Sequence, residues 1–65
     1  MRVRALCKVL SSVRVIEVFE DGENIDQGFK YEIGKKYGWY KVERLTISGR
    51  NYRIDVIPFL GYKTP

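Results

Sequence analysis

Sixty-five residues with 45% hydrophobic and 14% aromatic side chains make one domain around one small core, too apolar to stay disordered and too short for a second domain or an active-site lid. The lone cysteine excludes an internal disulfide, the lack of histidine removes the commonest general base and metal ligand, and no apolar run approaches the roughly 18 residues of a membrane span. Twelve bases against eight acids give +4, unevenly spread: Glu17, Glu20, Asp21, Glu23 and Asp26 fall within residues 17–26, which hold no base, so a basic remainder faces an acidic segment.

From the start of the chain, Val3, Ala5, Cys7 and Val9 alternate with Arg2, Arg4, Leu6 and Lys8. This reads as a half-buried first strand with a basic outer face. Those same three cations interrupt the apolar run that a signal peptide needs, so no targeting segment is expected and the cytoplasm is the default compartment. After Ser11 and Ser12, the β-branched stretch from Val13 to Phe19 reads as a second strand. Its inward parity slips between Val15 and Ile16, which predicts a bulge or burial on both sides.

Asp21-Gly22 is a turn signal, and the polar run through Gly28 reads as a loop of about eight residues. Phe29, Tyr31 and Ile33 alternate with Lys30 and Glu32 as a third strand, and Gly34 to Gly38 encloses Lys35, Lys36 and Tyr37 as a basic turn. Trp39 to Ile47 is a fourth strand with a second parity slip, between Tyr40 and Val42 on one side and Leu45 and Ile47 on the other. Ser48 to Asn51 is a hairpin connection. A fifth strand places Tyr52, Ile54 and Val56 inward and Arg53 and Asp55 outward, and pairing stops near Ile57 because Pro58 has no N–H to donate.

Five short strands with two parity slips predict an all-β domain, a small and partly open five-stranded barrel over residues 1–60, with residues 61–65 as a C-terminal tail. In its order of motifs the chain resembles the Src-homology-3 fold, through Ala5-Leu6 on the first strand, an acidic loop, Gly38-Trp39-Tyr40-Lys41-Val42 opening a central strand, the Ser48-Gly49 hairpin and Ile57-Pro58. The resemblance implies a shallow aromatic groove lined by Trp39 and Pro58, with Glu20, Asp21 or Glu23 pairing a basic residue of a proline-rich ligand. Cys7 and Lys8 stand where peptide-binding members carry Tyr and Asp, and Gly61 stands where they carry Tyr.

Catalytic chemistry finds little support. Cys7 has no partner to lower its pKa and shares strand parity with Val3 and Val9, which reads as a buried, inert thiol. Ile25 interrupts the alternating oxygen ligands that a calcium loop over Asp21 to Asp26 would need. The plasmid-encoded dihydrofolate reductases, on a similar barrel, share Gly-Trp-Tyr, but their Val-Gln-Ile-Tyr segment has no counterpart here. No enzyme activity, cofactor, metal or small-molecule substrate is expected.

Two binding readings remain. In the first, slightly favoured, a basic barrel holds nucleic acid through Arg2, Arg4, Lys8, Lys35, Lys36, Tyr37, Trp39, Arg50, Tyr52 and Arg53, with cations on phosphates and flat rings on bases. In the second, a protein partner meets Glu20, Asp21, Glu23, Trp39 and Pro58, as for an adaptor or small inhibitor of the kind phages and mobile elements encode. The chain would act as a monomer or as a homodimer joined through an edge strand, with no membrane involved.

Overall fold

The computed structural model describes residues 1–58. In chain order these form α1 (Val3–Cys7), β1 (Ile16–Glu20), β2 (Glu23–Gly28), α2 (Lys30–Tyr37), β3 (Lys41–Ser48) and β4 (Asn51–Ile57). The strands make a single open sheet in the order β2-β1-β4-β3. Each hairpin is antiparallel, and the two hairpins join through a parallel pairing of β1 with β4, from Ile16↔Tyr52 to Phe19↔Asp55. The coarse expectation of a small, strand-dominated domain stands. The sheet does not close, however, and its outer strands β2 and β3 do not pair with each other.

Both helices pack on one face of this sheet. Val3, Leu6, Cys7 and Leu10 from α1 and the turn after it join Ile33 of α2, Tyr40, Ile16 and Val18 of β1, and Ile54 and Val56 of β4 in one buried cluster. Ile16, Val18, Ile33, Ile54 and Val3 are its largest fully buried side chains. Burying each removes enough apolar surface to contribute about 1.5–3 kcal/mol. Tyr52 and Val42 pack against the same cluster, so the inward set Tyr52, Ile54 and Val56 lies as its alternation predicts. Glu17, Phe19, Arg53 and Asp55 alternate onto the opposite face, away from α1 and α2.

Two segments expected as strands are helices. Residues 3–7 coil because the buried positions Val3, Leu6, Cys7 and Leu10 recur at helical spacing, while Val9 is 76% exposed. Ala5-Leu6 therefore lies on a helix. Phe29, Tyr31 and Ile33 likewise do not share a face: Ile33 is buried, whereas Phe29 and Tyr31 are exposed. The Gly34 to Gly38 stretch, expected as a turn, continues that helix and supplies its C-cap.

The strand boundaries also move. The second strand begins at Ile16, with Val13 exposed, so the slip between Val15 and Ile16 marks a strand start and no bulge. The polar run after Asp21-Gly22 is strand β2, because a tight turn serves in place of the long loop: Glu20 pairs with Glu23, and Asp21 and Gly22 take φ 55° and 77°. Two successive positive φ values suit the right-handed twist of a two-residue hairpin. A bulge at Ile25 interrupts β2, where the Asn24 amide donates to the carbonyls of Val18 and Asp26 at 3.1 and 3.0 Å. The second expected slip is a bulge, at Glu43 between Val42 and Arg44, and β4 ends at Ile57 as Pro58 requires. The strand opened by Gly38-Trp39-Tyr40 lies at the sheet edge. Residues 59–65, which include the whole expected tail over 61–65 and Gly61, lie outside the described residues.

Candidate nucleic-acid interface

The helix pair brings the N-terminal cations against α2. Gly34 permits the approach: a Cβ there would already touch Cys7 Sγ at 3.6 Å, so a longer side chain would push the helices apart. Backbone bonds fix α1 to the end of α2, with Arg4 N–H donating to Gly38 O and Val3 N–H to Tyr40 O, both at 2.9 Å. Between the helices lies an open groove of about 310 Å³ lined by Arg4, Cys7, Lys8, Lys30, Tyr31 and Gly34. Three of these are cations and none is a carboxylate.

Each wall has a definite support. Lys30 Nζ donates to Leu10 O at 3.0 Å and stands 5.5 Å from the centre of the Tyr31 ring, so the turn after α1 steadies an α2 cation at the groove. The Arg4 guanidinium lies 4.7 Å over the Trp39 ring, and Arg2 Nη1 donates to Trp39 O at 3.1 Å. Trp39 is 43% exposed. An arginine held over an indole retains unused N–H donors, and the ring keeps flat area that a second planar group can cover. Lys35 follows Tyr31 by one helical turn on the exposed side of α2. Beneath them Cys7 is buried; burial pushes its thiol pKa up and the nearby Lys30 pulls weakly the other way. The floor is thus a neutral thiol, as its apolar surroundings predict.

Several expected contributors are elsewhere. Lys36 and Tyr37 turn to the β2 side, where Lys36 Nζ and the Tyr37 hydroxyl donate to Asp26 Oδ2 at 3.2 and 2.9 Å. The Asp26 carboxyl is held below its ordinary range by the Tyr37 hydroxyl first, then by the Gln27 N–H and Lys36. Tyr37 is pushed up to about 12 by burial and then by its bond to that carboxylate, and its ring meets Tyr40 edge-on at 5.1 Å. Tyr52 packs against the core, its hydroxyl accepting the Ser11 N–H at 3.1 Å, with Arg14 stacked 5.5 Å from its ring. Arg53 lies on the face away from α1 and α2, 3.8 Å over Phe19 and 3.2 Å from Asp55, and Arg50 sits in the β3–β4 turn.

Of the ten residues expected to contact nucleic acid, the fold gathers Arg2, Arg4, Lys8, Lys35 and Trp39 on the helix side. It adds Lys30 and Tyr31, which the alternating reading assigned to a strand. A helical reading of residues 30–37 would have found both. The residues of the second reading share one end of the sheet, because β1 and β4 are parallel: the exposed Asp21 turn, with Glu20 and Glu23, follows β1, Pro58 follows β4, and Trp39 precedes β3. Among the described residues, no cluster of three or more His, Cys, Asp or Glu could hold a metal ion, and no helix is long and apolar enough to cross a membrane.

Comparison with protein-family models, with curated proteins and with solved structures finds no match to this chain.

Proposed function

We propose that this chain is a non-catalytic nucleic-acid-binding module that seats phosphates in the groove between α1 and α2 and stacks bases on the flanking rings. One observation carries the reading: Arg4, Lys8 and Lys30 converge on a groove whose lining residues include no carboxylate. Such a site attracts a polyanion by releasing its counterions, and the exposed faces of Tyr31 and Trp39 add stacking of about 1–3 kcal/mol per base. Trp39 reports directly on this surface, so its fluorescence is the natural signal for titration with short single-stranded and duplex oligonucleotides at two salt concentrations. Affinity falls steeply with salt if the reading is right, and absence of binding at low salt rejects it.

The variants sharpen the test, followed by anisotropy of a labelled oligonucleotide so that loss of the Arg4 stack cannot masquerade as binding. Arg4→Ala, Lys8→Ala and Lys30→Ala each weaken binding and lower the salt slope by about one, as expected for the loss of one phosphate contact. Arg53→Ala, on the opposite face, leaves both unchanged; a loss equal to that of Arg4→Ala overturns the assignment to the groove.

The second reading, a protein-interaction module, draws on the shared placement of Glu20, Asp21, Glu23, Trp39 and Pro58 at one end of the sheet. A partner that engages this end is released by the triple alanine replacement of the three acids. Unchanged capture rejects a role for them.

A further inference from the structure

The outer edge of β3 is divided into a covered half and an open half. At its start, the chain's own first residues pair with it: Arg2 bridges Lys41 in antiparallel fashion and Val42 N–H donates to Met1 O at 2.8 Å. Beyond the Glu43 bulge no described residue pairs with it, and every residue from Glu43 to Ser48 is exposed. The direction of its backbone groups follows from β4. Tyr52 gives its N–H to Val15 O on the β1 side, so Asn51, Arg53 and Asp55 turn toward β3 and meet Ser48, Thr46 and Arg44. Leu45 and Ile47, the alternate residues, therefore aim their N–H and C=O groups outward. Their side chains lie on the helix side of the sheet, opposite Ile54 and Tyr52, yet remain 40% and 64% exposed because the helices do not reach them.

We propose that this open half-edge is a homodimer interface, in which β3 pairs antiparallel with β3 of a second copy about a two-fold axis at Thr46. This goes beyond the nucleic-acid reading and does not depend on it. The register is self-consistent on three separate counts. Leu45 falls opposite Ile47 of the second copy, so the outward backbone groups satisfy one another and the two bare apolar pairs cover each other. Arg44 falls opposite Ser48, so no like charges meet. Glu43 lies level with the Gly49-Arg50 turn of the second copy, which places opposite charges at each end. A shift by one residue would set the apolar side chains against the polar face, and the bulge together with the pairing of Met1 and Arg2 along Lys41 and Val42 blocks extension toward the strand start. The product is one continuous eight-stranded sheet.

Sedimentation equilibrium of the intact chain over a wide range of concentration tests this. The expected result is a reversible approach to twice the 7.6 kDa of one chain. Leu45→Lys with Ile47→Lys sets lysines opposite lysines and is monomeric, with an unchanged circular dichroism spectrum. Leu45→Glu with Ile47→Lys sets opposite charges face to face in the stated register and restores the dimer. A wild-type chain that stays monomeric throughout overturns the proposal, as does a double-lysine variant that still dimerises. Open-ended growth with concentration overturns it too, since that would mean pairing of β3 with the other edge, β2. A charge-swapped variant that remains monomeric while the wild type dimerises rejects the Thr46 register.

Discussion

A methyl group at Gly38 would collide with the carbonyl oxygen of Gly34 and come within 3.5 Å of Arg4 Cβ, whereas one at Gly34 would meet Cys7 only at ordinary contact distances of 3.6 and 3.7 Å. The two glycines should therefore respond differently to the same substitution. Gly38→Ala loses about 1–3 kcal/mol, since the close neighbour is backbone that cannot swing aside. Gly34→Ala stays within about 1 kcal/mol of the wild type, because better helix propensity offsets tighter packing. Thermal melts of the two variants, compared side by side, check this. In the core, Ile54 is fully buried, and Ile54→Ala loses about 2–5 kcal/mol. A domain this small holds a surplus of roughly 3–5 kcal/mol, so urea titration should find this variant largely or wholly unfolded, with Ile54→Val still folded.

Asp26 adds a pH dependence at the same scale. Its pKa is lowered by the Tyr37 hydroxyl, the Gln27 N–H and Lys36, so its contribution is present above the ordinary carboxylate value and is lost as pH falls through the depressed one. Tyr37, raised to about 12, behaves in the opposite sense: its contribution is complete below its ordinary value of 10.0 and is lost as pH climbs through about 12. Asp26→Asn should then melt below the wild type at neutral pH, and the gap should narrow in acid. A gap independent of pH would show that the carboxylate charge plays no part.

Among the elements, the two hairpins carry their own local instructions. Asp21-Gly22 specifies a two-residue turn through two positive φ values, and the β3–β4 turn uses one, Gly49 at φ 60°. Gly22→Ala places a side chain at φ 77° and should lower stability by about 1–2 kcal/mol, read as a lower melting temperature. The turn residues are legible in the sequence, although the run after Gly22 reads as a long loop and is strand β2; the inward set of β4, its end at Pro58 and the bulge near Val42 are legible too. The helices were not. Val3 and Cys7 satisfy both a two-residue and a helical period, and only the burial of Leu6 and Leu10 in place of Ala5 and Val9 decides between them. Gly34 and Gly38 looked like turn punctuation because the close packing that requires small residues there is tertiary and leaves no mark in local propensity. With α1 and α2 read as strands and β2 as a loop, the pattern yields five strands and a partly open barrel in place of a four-stranded open sheet.

For the whole molecule, the positive charge divides according to which side of the sheet each element occupies. Arg4, Lys8, Lys30 and Lys35 belong to the helices, while Arg53 pairs with Asp55 across the sheet from them. Residue type alone picked out Arg4, Lys8 and Trp39, since cations and rings close in sequence suffice to suggest a polyanion. It could not tell that Tyr37 and Lys36 would turn to Asp26, because that acid arrives from a different element through a bulged strand. Salt-dependent binding that is lost with the helix cations and retained with Arg53→Ala would place the partner on the helix side as a matter of measurement.

The parallel contact of β1 with β4 also governs how the chain assembles. Residues 1–28 contain one helix and one hairpin, residues 30–58 contain the other helix and hairpin, and the central ladder between Ile16 and Tyr52 is the seam where they meet. Each half can draft its own turn quickly, but neither encloses an apolar interior until its counterpart arrives from a distant stretch of sequence. A backbone cut after Gly28 should accordingly give two peptides that are unstructured apart and regain the native circular dichroism spectrum when mixed.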